Sequence, residues 1–89
     1  MDIDLARQMV RVDFAVSREL QVVLQALKAR CSPEEYRELA RGIAAAVDGV
    51  GTALIRKAIE AHPELEAEID VSINKYGYYR DPSADLTDR

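Results

Sequence analysis

The chain has 89 residues, 48% of them hydrophobic and 31% charged, with a formal net charge of −4 at pH 7. A domain of that size buries roughly 60–65% of its unfolded surface, a thin core that small proteins often supplement with a metal, disulfides or a partner subunit. The single cysteine, Cys31, excludes an intrachain disulfide and a cysteine framework for zinc, and it suits a reducing, cytoplasmic compartment. No basic segment followed by an apolar core opens the chain, and no apolar run is long enough to span a bilayer, so neither a signal peptide nor a membrane helix is expected. The acidic excess lies in the last third, where residues 63–89 hold seven Asp/Glu against three Lys/Arg. That balance argues against broad contact with phosphates or anionic lipid.

A first helix is expected over about residues 4–30. Asp2 and Asp4 are N-cap candidates. Leu5, Met9, Val12, Val16, Leu20, Val23 and Leu27 follow at steps of four and three, one face of an amphipathic helix. Ile3, Val10 and Phe14 add a second apolar edge, and Val22 with Ala26 widens the stripe on the other flank. A helix apolar over so much of its circumference needs more than one neighbour, either the C-terminal segment folded over Phe14 or a second copy of the chain.

Ser32-Pro33-Glu34-Glu35 is the most specific local signal. Ser32 is an N-cap, Pro33 takes the first helical position, and Glu35 completes a capping box. Cys31 then reads as a small hydrophobe at a helix end rather than a reactive thiol. Tyr36, Ala40, Ile43, Val47, Val50, Leu54 and Ala58 continue in unbroken phase, which favours one helix over about residues 33–61. Gly42, Ala46, Gly49 and Ala53 form an adjacent row of small residues that would let another helix approach closely. Ile55 and Ile59 lie off the main stripe and predict contact with a third element.

The same stretch supports a second reading over about residues 41–60, in which residues 48–51 form a turn. Ala45, Gly49, Val50 and Ile55 satisfy the small, glycine and aliphatic positions of a helix-turn-helix. The segment from Gly49 to Ile59 resembles the turn and recognition helix of Cro-type phage repressors. Residues 69–74, which alternate with a strand period, are similar to the dimerising strand of those proteins. The resemblance covers about a third of the chain and implies a dimeric DNA-binding regulator reading the major groove with Thr52, Arg56 and Lys57. Asp48 stands where that family has a core aliphatic, and the long first helix has no counterpart there.

Pro63 restarts the chain at a first helical position, with Glu64, Glu66 and Glu68 in the opening turns, where negative charge is favoured. Leu65, Ile69, Ile73 and Tyr76 suit a helix face, and the helix reading is preferred over the strand. Gly77 is the expected C-cap. Tyr76, Tyr78 and Tyr79 cluster around it beside Lys75 and Arg80. Residues 81–89 read as a mobile acidic tail.

No arrangement of His, Cys or carboxylates reads as an active site, so no catalytic, cofactor-binding or metal-ligating residue is expected. The sequence thus predicts an all-α bundle of three helices: a long antiparallel hairpin, about 4–30 with 33–61, and a shorter third helix, about 63–76. One domain would span residues 1–80, and two copies would associate. The expected role is a cytoplasmic protein–protein interaction or oligomerisation module. Phe14, Val22, Gly42, Gly49, Tyr76, Tyr78 and Tyr79 are its candidate contacts.

Overall fold

The computed structural model describes residues 1–80. Three helices account for nearly all of them: α1 is Ile3–Arg30, α2 runs from Pro33 to Ala61, and α3 is Leu65–Tyr76. Among the described residues there is no strand, and the all-α hairpin-plus-helix architecture is the one the sequence predicts. Helix α1 has 28 residues, about 42 Å at 1.5 Å per residue, and it sets the 44 Å long axis of the molecule.

The helix ends follow local chemistry. The Asp2 carboxylate accepts from the Leu5 amide at 2.8 Å, and Ser32 Oγ accepts from the Glu35 amide at 3.2 Å, with Pro33 inside the first turn of α2. Gly77 ends α3 in the left-handed region (φ 80°), its N–H donating to the Ile73 carbonyl at 2.8 Å. A chain reversal at that point needs φ > 0, which glycine adopts without the Cβ clash of other residues.

Helix α2 corrects the helix-turn-helix reading. Its α-helical part Pro33–Gly51 passes directly into a π-helical segment, Thr52–Arg56, and then into Lys57–Ala61. Gly51 (φ −58°, ψ −43°) and Thr52 (φ −65°, ψ −42°) are ordinary helical residues, so no turn forms over residues 48–51. The unbroken apolar phase across Gly49 and Gly51 wins over glycine's freedom to turn. Residues 69–74 are likewise helical, with Leu65, Ile69 and Ser72 buried on one face, and no dimerising strand exists there. The wider π turn brings both rows of α2 into use. Ile55 and Ile59 pack against the core, the contact with a third element that their spacing predicts.

The core lies at one end. Ala6 and Val10 of α1, Ala58 of α2, Leu65 and Ile69 of α3, and Tyr79 beyond it are its buried apolar members. On α1 the inward line is Ala6, Val10, Asp13, Ser17, Leu20, Leu24, Leu27 and Cys31, all buried or half-buried. These steps alternate four and three, a heptad seam facing α2. The stripe read from the sequence is therefore displaced by one residue, about 100° around the helix, over its first half. Leu5, Val12, Val16 and Val23 point outward, each between a third and a half exposed. Ala6 and Val10 of the inward line meet Ala58 at the end of α2, where small residues permit close approach.

Candidate interaction surface

Away from the core the hairpin is thinly covered. No residue between Asp13 and Ala58 is buried, and Pro33–Gly51 has no buried member at all. Each helix of a two-helix hairpin has one neighbour, so its apolar circumference stays half open. The outer stripe Leu5–Val12–Val16–Val23 of α1 is the longest such line, with Val22, at 57% exposure, on its flank.

The proposed contact residues separate into three groups. Phe14 and Tyr79 meet each other: their rings stack at 6.1 Å between centroids with 27° between planes, and Tyr79 is only 3% exposed. Both are thus occupied within the protomer, and the segment after Gly77 is what covers Phe14. Tyr76 and Tyr78 form a second pair, 6.1 Å apart and exposed, with Lys75 Nζ 5.2 Å and the Arg80 guanidinium carbon 5.3 Å from the Tyr76 ring centre. Val22, Gly42 and Gly49 belong to neither. A Cβ built on Gly42 or Gly49 would meet nothing within 4 Å, so neither glycine is required by contacts inside the protomer. The antiparallel register that puts Asp13 beside Gly51 puts Val22 level with Gly42, on the open part of the hairpin. Thr52, Arg56 and Lys57 are exposed, and Lys57 pairs with Glu60 at 3.5 Å.

Sequence reasoning missed the polar lock that holds Tyr79. Arg7 Nε lies 3.2 Å from each oxygen of Glu68, and its Nη2 donates to Oε1 at 2.8 Å. The Tyr79 hydroxyl donates to Oε2 of the same carboxylate at 2.8 Å. Ser72, 6% exposed, donates to the Tyr78 carbonyl at 3.0 Å and accepts from the Arg80 amide at 2.6 Å. One serine thus fixes the backbone on both sides of Tyr79. Its signal was available: a hydroxyl three residues after Ile69, on the inward face of α3.

A second missed residue is Asp13, 6% exposed, whose Oδ1 has no hydrogen-bond partner. Loss of water around it holds its carboxyl above the usual carboxylate range. It stands in the heptad seam where every neighbour except Ser17 is apolar, and reading that line instead of the adjacent one would have exposed it. Cys31 is half-buried; its thiol is pushed up first by a hydrogen bond to Glu35 and then by partial burial and the Glu35 charge. That direction opposes thiolate formation.

Among the described residues, no group of three His, Cys, Asp or Glu side chains is placed to hold a metal ion, and no helix is long and apolar enough to cross a membrane. The acidic tail expected over residues 81–89 lies outside the described residues. No protein family, curated protein or solved structure matches this chain.

Proposed function

We propose that this chain is a cytoplasmic self-associating module, a helical hairpin whose work is done by binding protein, first of all a second copy of itself, without catalysis. The observation that carries this reading is the stretch between Asp13 and Ala58, in which nothing is buried although both helices bear apolar lines. Two hairpins laid together give every helix two neighbours and enclose those lines, the arrangement of a four-helix bundle. Two-fold pairing brings the same stripe from each copy to the interface, so each side chain counts twice. The row Gly42, Ala46, Gly49, Ala53 supplies a bare track for close helix approach, and among the described residues nothing lies within 4 Å of a Cβ on either glycine. The exposed pair Tyr76–Tyr78, flanked by cations, is a separate amphipathic patch suited to a further protein partner.

The test is the mass in solution. Light scattering and sedimentation equilibrium should give about 20 kDa, twice the 9.9 kDa of the chain. Removing one buried valine side chain costs about 1.5 kcal/mol. Because each substitution occurs twice, Val16→Glu or Val23→Glu should weaken association by about 3 kcal/mol, roughly a hundredfold. A species of monomeric mass at millimolar concentration refutes the reading.

A further inference from the structure

The hairpin and α3 border an open groove of about 830 Å³ on the side where α2 becomes π-helical. Its floor is apolar: Val47, Ile55, Ile59 and Ile69. Around that floor stand the carboxylates of Asp48, Glu60, Glu66 and Asp70, with Arg56 the one basic lining residue. Surface carboxylates alone would be a solvated rim. Asp13 differs from them: it lines the same groove, is more than nine-tenths buried, and its Oδ1, beside Gly51 of the groove lining, has no hydrogen-bond partner among the described residues. No lysine, arginine or histidine among the described residues lies within ion-pair distance of it. A desolvated carboxylate without a donor is costly, and a cationic N–H group placed against it would recover both the charge and the hydrogen bond.

We infer that this groove binds an aliphatic polyamine, with Asp13 anchoring one ammonium group at the groove floor and the rim carboxylates meeting the others. The volume lies in the range of small-molecule sites, which combine apolar walls with a few convergent polar groups. The ligand's shape follows from the lining. Isoleucines between carboxylates suit methylene spacers between ammonium groups, and five carboxylates, of which Glu60 is already paired with Lys57, against one lining guanidinium call for more than one positive charge. A bare metal ion fits poorly, because no three of these carboxylates converge closely enough to ligate one. The site takes Asp13 from the inward line of α1 and its other lining from α2 and α3, and it leaves the outer stripe of α1 free.

The experiment is a titration of the ¹⁵N-labelled full chain with spermidine at physiological ionic strength, with Mg²⁺ and 1,6-hexanediol as controls. Saturable amide shifts at Gly51, Ile55 and Asp70 are expected with spermidine, and neither control should reproduce them. Asp13→Asn, whose fold is checked by circular dichroism, should raise the dissociation constant at least tenfold, while Asp70→Asn should change it by a smaller factor. Identical shifts with Mg²⁺ would reduce the effect to charge screening and overturn the proposal. Equal affinity of Asp13→Asn would overturn it as well. Shifts that appear only on raising protein concentration, and not with spermidine, would assign the groove to a side chain of a second copy and refute the polyamine.

Discussion

Tyr79 offers the sharpest test of how the described fold holds together. Its side chain makes two separable contributions: a hydroxyl bond of 2.8 Å to Glu68, and a ring buried against Phe14. Hydrogen bonds to a charged group contribute about 1.5–3 kcal/mol. Glu68 keeps the Arg7 fork when the hydroxyl is removed, and its side chain is about a quarter exposed, so Tyr79→Phe should cost near the lower end, about 1.5 kcal/mol. Tyr79→Ala loses the ring too, and large-to-small aromatic substitutions cost about 3–5 kcal/mol. A chain of 89 residues has a total stability of about 4–13 kcal/mol. At about 4–8 °C per kcal/mol, Tyr79→Phe should lower Tm by about 6–12 °C, and Tyr79→Ala by about 12–40 °C. Thermal melts followed by circular dichroism at one fixed protein concentration measure both, the fixed concentration removing any contribution from association. A double-mutant cycle with Glu68→Gln should return a coupling near the Tyr79→Phe cost. If Tyr79→Ala melts within 2 °C of the parent protein, Tyr79 is not a core residue and the account of how Phe14 is covered fails.

Asp13→Asn should stabilise the protein by about 1 kcal/mol at pH 7 by removing a desolvated charge. Because the Asp13 carboxyl titrates above its ordinary 3.8 in the folded state, the native protein takes up that proton before the unfolded chain does. The penalty is therefore full above the folded pKa and fades as pH falls toward 3.8, so the gain from Asp13→Asn, read by urea denaturation at several pH values, should shrink on acidification; a gain that grows instead contradicts the assignment. Gly49→Ala meets empty space and should strengthen the isolated helix by about 0.5–1 kcal/mol, while Gly49→Leu should weaken association in light scattering if the small-residue row is a contact track. Glu35→Gln removes a charge that pushes the Cys31 thiol up, so alkylation of Cys31 at pH 8 should become faster, and an unchanged rate would show that Glu35 does not set it.

Local chemistry alone placed every helix boundary but the start of α3, which falls at Leu65 rather than at Pro63, because caps act within three or four residues of each end and no side chain caps that start. Asp2, the Ser32-Pro33 pair and Gly77 could be read with no knowledge of what packs where. The continuity of α2 through Gly49 was also legible, since the apolar phase keeps its period across the glycines. Which face of α1 turns inward could not be read that way. Two neighbouring lines, Leu5–Met9–Val12–Val16 and Ala6–Val10–Asp13–Ser17, both have helical spacing, and the more apolar one was the natural choice. The tertiary structure chose the other, because the end of α2 around Ala58 packs closely on Ala6 and Val10, and side chains of α3 and Tyr79 complete that cluster. The pairing of Arg7 with Glu68 and of Phe14 with Tyr79 joins residues some sixty positions apart, a separation over which no sequence period carries information. That choice of face created the two features on which the functional reading stands: an apolar stripe left a third to a half exposed, and a carboxylate buried without a donor among the described residues.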